Sequence, residues 1–273
     1  MIVRTILAAA AALMAMPATV SAQETEFDQI EKKNLDSGKT TLSADKAYIY
    51  LTGPNRTNGI FLKTPDADDI AEYEAEWVEE LAEAKEKYVK QLKTYERRYK
   101  LWSSRQNQVR KPVKPIEPTE ENFSIGDIER RMIVPFGPQF VFDKPKDADG
   151  EKTFSYLIEV EPGTYSYYGP IFYAPGAAPL GLCYCMGSVK FEAAAGQVTS
   201  LGDFLAFEWV TTNLAKQSAV NATVERTEAE AKAVDFAVPS ILSDFGAVPA
   251  DLRAAGKMNN IFGIMIGRLP PID

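Results

Sequence analysis

The stretch from Thr64 to Pro118 constrains the fold more than any other, because it interrupts what otherwise reads as one β-rich domain. It opens with helix-start signals. Thr64 is placed to cap, Pro65 to take the first helical position where its missing N–H costs nothing, and Asp66, Asp68 and Asp69 to fill the first turn. Apolar positions then recur at Ile70, Tyr73, Trp77, Leu81, Ala84, Tyr88, Leu92, Tyr95, Tyr99 and Trp102. Steps of three and four make one face of a helix, running from Asp66 to about Arg105 without a glycine or proline inside it. At about 1.5 Å per residue this is a rod of roughly 60 Å. A rod of that length cannot lie on one small domain, so it is expected to project.

The return is equally constrained. In Arg110-Lys-Pro-Val-Lys-Pro-Ile-Glu-Pro118 the prolines Pro112, Pro115 and Pro118 recur every third residue. Polyproline II has three residues per turn, so the three rings share a face. From Gln106 to Phe123 an extended chain covers roughly 56–61 Å, close to the helix length. The segment therefore reads as a helix going out and an extended strand returning, with proline rings on the Tyr/Trp stripe. This arrangement resembles the polyproline–helix packing of pancreatic-polypeptide-type hormones, in local geometry alone. The alternative is a helical hairpin with a turn near Thr94.

Charge along the rod is polarised. Glu72, Glu74, Glu76, Glu79, Glu80, Glu83 and Glu86 crowd the first half, and Lys87, Lys90, Lys93, Arg97, Arg98, Lys100 and Arg105 the second. Macrodipole complementation with a solvated face is one reading. An antiparallel pairing surface is the other, since two such rods laid head to tail match opposite charges.

The chain begins Met1-Ile-Val-Arg4, followed by an apolar run from Thr5 to Met16 and an Ala-x-Ala-like ending at Val20-Ser-Ala22. This is the pattern of a secretory signal peptide cleaved after Ala22, its apolar core too short to span a bilayer. No cysteine follows it, so a lipid anchor is not expected. The short n-region points to a bacterial protein of the periplasm or cell surface. Loss of Arg4 takes the formal charge from −8 to −9. An acidic chain with no basic cluster outside the arm argues against nucleic acid or anionic membrane as a main partner, and no later run is long enough to span a membrane. Histidine is absent, which removes the commonest general base, the serine–histidine and cysteine–histidine dyads, and most zinc and copper sites.

The remainder reads as short strands between Gly/Pro turns. Residues 23–40 form a flexible lead-in. Lys46–Thr52 and Ile60–Lys63 flank the turn Gly53–Gly59, and Ile128–Val134 and Gln139–Asp143 follow the arm. Asn55-Arg-Thr57 and Asn221-Ala-Thr223 match the glycosylation pattern, which is idle in a bacterium. Asp143–Gly150 is a turn; a calcium-loop register would place Pro145 and Tyr156 at ligand positions. Thr153–Val160 is turned by Glu161-Pro-Gly163 into Thr164–Tyr168, and Gly181–Phe191 is turned at Ala195-Gly196 into Gln197–Val210. The expected fold class is mainly β with an α insertion: an antiparallel β-sandwich or open barrel (41–63 plus 124–211) carrying a projecting helix and proline-rich return (64–123).

Val160-Glu-Pro-Gly-Thr-Tyr165, Cys185-x-Gly187, Phe191, Ala195-Gly-Gln-Val198 and Leu201-Gly-Asp-Phe204 resemble the text of exported bacterial β-sandwich proteins of unknown function, which alternate a Pro-Gly-x-Tyr hairpin with an Ala-Gly-x-Val hairpin. The resemblance covers about a fifth of the chain, mostly turn formers. It implies a fold and an address, with no catalytic residues; the long arm departs from the simple form. Past Thr211, a capping box at Thr227-Glu-Ala-Glu230 opens a helix to about Phe236, Pro249–Ala255 reads as another, and Ile261–Ile266 as a buried strand.

Candidate chemistry is sparse. Cys183 and Cys185 are the two cysteines; two residues apart in a strand, their α-carbons sit near 6.6 Å, at the outer limit for a bridge. Buried thiols or a disulfide helped by a local bulge are the readings, with copper(I) held by both sulfurs and Met186 as an outlier. Tyr165, Tyr167, Tyr168 and Tyr173 cluster about a Pro/Gly loop, either as a platform for a sugar ring or as ordinary cross-strand packing. No cofactor is expected. The function read from these residues is a non-catalytic binding or assembly module. Its partner, another protein or a second copy, would be met through Tyr73, Trp77, Tyr88, Tyr95 and Trp102 of the arm where the prolines leave them open. A glycan- or cell-wall-binding module using the tyrosines is the alternative, and a hydrolase with paired carboxylates a third.

Overall fold

The computed structural model describes residues 25–53, 58–105, 109–137, 139, 141–145, 153–172, 178–203 and 238–269. The expected signal peptide, both Asn-x-Thr sites, the tip of the Asp143–Gly150 turn, Tyr173, Gln197–Val210 beyond Asp203, the Thr227–Phe236 helix and Pro270–Asp273 lie outside them.

The chain is mainly β with one long helix. The first sheet comprises β1 (Phe27–Gln29), β2 (Ala47–Gly53), β5 (Phe154–Val160), β10 (Val198–Ser200) and β11 (Val248–Pro249), in the order β1-β5-β2-β10-β11. The second orders β12-β9-β6-β3-β4 from β3 (Gly59–Lys63), β4 (Ile133–Phe136), β6 (Gly163–Gly169), β9 (Val189–Ala193) and β12 (Arg253–Ala254). A third, smaller sheet joins β7 (Ile171–Phe172), β8 (Leu180–Cys183) and β13 (Met265–Ile266). Pairing is mixed rather than wholly antiparallel: β10 runs parallel to both β2 and β11, and β13 parallel to β8.

Side-chain alternation accounts for the layering. In β2, Ala47, Ile49 and Leu51 point one way and Tyr48 and Tyr50 the other, and all five are buried. The first set meets Phe61, Tyr165, Tyr167 and Phe191 of the second sheet in one core. The second set is covered by Ile30, Phe142, Val198 and Leu242. A strand roofed on both faces must be apolar throughout, which is why β2 shows no polar face.

Three expected hairpins are something else. The strands flanking Gly53–Gly59, those flanking Glu161–Gly163 and those flanking Ala195–Gly196 belong to different sheets in every case. Each turn therefore carries the chain across the core instead of back along its neighbour. Other expectations also change. Residues 25–40 are structured: β1 pairs with β5, and α1 (Lys32–Asp36) follows buried Ile30. Ile128–Val134 begins with a single 3₁₀ turn, Ile128–Arg130, before β4, and Gln139–Asp143 contributes a lone bridge from Asp143 to Ser155. Pro249–Ala255 is not helical, because its backbone serves two sheet edges: Ala250 N–H donates to Ser200 O and Ala255 N–H to Ser188 O. A four-residue helix, α3 (Ser240–Ser243), precedes it. Ile261 is buried, but Met265 and Ile266 are exposed, so the last strand is an outer one.

Cys183 and Cys185 are disulfide-bonded, with α-carbons 5.1 Å apart. The approach is possible because β8 ends at Cys183 and the chain turns at Cys185, shortening the strand spacing. Gly169 marks another close approach. At φ +142° it leaves room for the Leu182 carbonyl, which any side chain there would strike.

Candidate functional site

Helix α2 spans Ala67–Ser104, 38 residues, about 57 Å long. Its cap is Asp66 rather than Thr64. The Asp66 carboxylate accepts from Asp68 and Asp69 N–H, and the Asp69 carboxylate accepts from Asp66 N–H, a reciprocal capping box. Thr64 lies two residues before the cap, still paired with the sheet through its N–H, which donates to Thr164 O at 2.7 Å.

The root of the helix is locked to the β-structure by charge. Lys63, at the end of β3, is 4% exposed and meets Asp66 at 3.1 Å, Asp69 at 2.9 Å and Glu161 at 3.0 Å. Burial alone would lower the Lys63 pKa, but the hydrogen bonds it donates to the three carboxylates hold it above the ordinary lysine range. One turn on, Arg131 pairs with Glu76 and lies 5.1 Å over the Tyr73 ring. These contacts fix the direction in which the helix leaves the sheets.

Beyond the root, the helix runs beside its own return segment. Tyr73 OH donates to Gly126 O at 2.6 Å, Trp77 packs on Phe123 with centroids 6.2 Å apart, and Lys111 lies 5.2 Å over Trp102. From Tyr73 to Trp102 the helix advances about 44 Å. The return from Gly126 to Lys111 runs beside it, extended except for a turn where Asn122 and Phe123 N–H donate to Thr119 O. Pro112, Pro115 and Pro118 are half-buried while every residue between them is exposed, the periodicity of three that polyproline geometry requires. The helix is unbroken at Thr94, so the hairpin alternative is excluded.

This places the sequence-predicted contact residues on the covered face. Tyr73, Trp77, Tyr88, Tyr95 and Trp102 are all half-buried. The contacts of Tyr73, Trp77 and Trp102 show them holding the return segment rather than facing outward. The apolar surface left open includes Ile70 and Tyr99 near the ends of the stripe, but its most exposed members lie elsewhere: Val78 (61% exposed) and Val89 (49%) on the helix, Val113 (87%) and Ile116 (83%) on the return. Sequence arithmetic could have found the last two. The period that stacks the prolines on one face places Val113 and Ile116, each next after a proline, together on another.

Among the described residues the other candidates do not form sites. Tyr165, Tyr167 and Tyr168 are fully buried, so they offer no platform to a sugar ring; they fill the core. Burial pushes the Tyr165 phenol well above its usual range. The one described convergence of carboxylates seen at the arm root, Asp66, Asp69 and Glu161, is bound up with Lys63. Among the described residues no cluster of His, Cys, Asp or Glu could hold a metal ion, and no helix is long and apolar enough to cross a membrane. No family model, curated protein or solved structure matches the chain.

Proposed function

We propose that this protein is a non-catalytic binding or assembly module of the bacterial envelope, built on a β-sandwich and meeting its partner through the helix–polyproline arm. One observation carries the reading: a 38-residue helix buries a single side chain, Leu81, and spends its apolar stripe on a return strand from the same insertion. An insertion that contributes so little to the core is retained for what its outer surface meets. The sandwich is supported by the core that β2, β5, β3, β6 and β9 share across two sheets. The envelope address is supported by the signal-peptide pattern of residues 1–22.

The test uses the proximity of Trp77 and Phe123. Replacing residues 80–120 by a short turn keeps the Lys63 and Arg131 contacts and removes the shaft. The shortened protein should unfold at the same temperature as the parent while losing self-association and partner capture from periplasm. Unchanged association and capture would sink the reading.

A further inference from the structure

We infer that the partner of the arm is a second copy of this chain, lying antiparallel along it so that the basic outer half of each arm covers the acidic inner half of the other. This rests on the reading of the arm as the contact surface.

The helix polarity visible in sequence is repeated on the return strand. Residues 117–129 of the return hold five carboxylates and no cation, beside the acidic inner half of the helix; residues 109–116 hold Arg110, Lys111 and Lys114 and no carboxylate, beside the basic outer half. Taken together, residues 87–116 carry ten cations against Glu96, and residues 66–86 with 117–129 carry fifteen carboxylates against Lys85. Beyond the root, where Lys63 and Arg131 meet acids, like charge thus lies beside like charge along the arm. The groove between helix and return holds cations and no carboxylate, its helix side lined by Lys90, Tyr95 and Arg98 and its return side by Pro112, Val113 and Pro115.

Two ordinary explanations fail. The helix macrodipole favours acids in the first turn and bases in the last, but it fades within a turn and does not act on a strand that is not helical. Intramolecular pairing would place opposite charges at the same level, the reverse of what is found. Among the described residues the arm beyond Trp77 holds one ion pair, Lys87 with Glu83. Screening over about 8 Å isolates the two ends from each other within one chain, so each half acts as a separate field.

Both fields are satisfied by one operation. A two-fold axis across the middle of the arm sets each basic half on the partner's acidic half, using the same surface twice, as an isologous contact does. An anionic membrane or polymer would engage the outer half alone and leave the acidic half unused. Val78, Val89, Val113 and Ile116 supply exposed apolar atoms for the seam.

The experiment is charge reversal in the full mature chain, read by sedimentation velocity at about 50 mM and about 500 mM salt. The outer-reversed variant carries Lys93→Glu, Arg97→Glu and Arg98→Glu; the inner-reversed variant carries Glu72→Lys, Glu79→Lys and Glu83→Lys. Glu76 is spared because it holds Arg131. The parent should dimerise at low salt and at least tenfold more weakly at high salt. Each variant alone should be monomeric, and an equimolar mixture should form heterodimers. Should either reversal cost helicity, Lys93→Gln with Arg97→Gln and Arg98→Gln should still weaken the dimer at least tenfold. A parent that stays monomeric at low salt overturns the inference. If its binding to phosphatidylglycerol vesicles is also lost on outer reversal, the arm remains a contact surface with a different partner. A dimer that survives both reversals and removal of residues 80–120 overturns the inference and the arm reading together.

Discussion

Tyrosine is used in opposite ways in the two halves of this molecule. In the β-structure Tyr48, Tyr156, Tyr165, Tyr167, Tyr168 and Tyr184 are buried almost completely, packed between layers. In the arm Tyr73, Tyr88 and Tyr95 are only half-buried and Tyr99 is exposed, with Tyr73 and Tyr95 facing a single strand of chain. The core is thick enough to close over an aromatic ring from every side, and the arm is two chains wide. Stability in the first region therefore comes from burial. In the second it comes from how the root is fastened and from what lies along the outside.

The sharpest way to break that contrast is to empty one position on each side. Phe61 touches Phe136, Tyr167 and Phe191 with centroids 5.3–5.7 Å away. Phe61→Ala should cost about 4 kcal/mol, because neighbours fixed in β4, β6 and β9 of the same sheet cannot collapse into the space. Chemical denaturation should show the loss as a lower midpoint with an unchanged slope. A cost below about 1 kcal/mol would mean the core is far softer than its burial implies.

Lys63→Met tests the root. Removing one partner of a buried ion pair costs about 3–5 kcal/mol when the other is left dry, but Asp66 and Glu161 reach water here, so about 2–3 kcal/mol is expected. The loss should appear as faster hydrogen exchange in the first turns of the helix, ahead of the sheets. Trp77→Ala should cost less, about 1–2 kcal/mol, since its ring is half-covered by Phe123 and the return strand. Exchange should then rise along the helix and in residues 118–126, leaving β2 and β5 protected. Equal loosening of both regions would show that arm and core are one cooperative unit.

Acid gives a weaker handle on the root. The Asp66 pKa is lowered, first by the Asp69 N–H it accepts and, against the opposing effect of burial, by Lys63. A carboxylate with a depressed folded value contributes stability above its unfolded pKa, about 3.9, and the contribution disappears as pH falls through the folded value. Helix ellipticity should therefore decline below about pH 4, and Asp66→Asn should remove that step while keeping a cap. A decline already complete at pH 5 would assign the transition to another group.

How much of this was legible followed from range. The helix, its stripe and the proline period are local patterns, and they place Tyr73, Trp77 and Pro115 on the faces where they are found. The proline period also lays the chain's own return on that stripe, as found; what was not legible is how far the return claims Tyr73, Trp77 and Trp102, because that depends on contacts such as Trp77 with Phe123 that only the fold sets. The same limit applies to the turns. Glu161-Pro-Gly163 announces a reversal, but whether β6 pairs with β5 or crosses to another sheet depends on strands more than a hundred residues away, such as β3 beside β6. Lys63 illustrates it again: Asp66 and Asp69 lie nearby in sequence, while Glu161 is brought in by the fold.

Pro115→Ala is the smallest change and separates two origins of the arm's rigidity. Proline stiffens an extended strand chiefly by limiting the unfolded chain, an effect of about 0.4–1 kcal/mol, and its ring here adds partial cover for the helix. Replacement should cost about 0.5–1 kcal/mol, visible as exchange in the outer helix near Tyr95 and as no change in the denaturation midpoint of the sheets. Val113→Ala, at a position 87% exposed, removes a comparable apolar volume from the opposite surface and should leave the isolated chain's exchange untouched. If the chain pairs as inferred, that second substitution instead weakens dimerisation. The two neighbouring residues would then report separately on the inside and the outside of the same strand. Equal effects from both would mean that the return strand has no distinct inner face, and the contrast between an arm held from within and a surface turned to a partner would fail at that point.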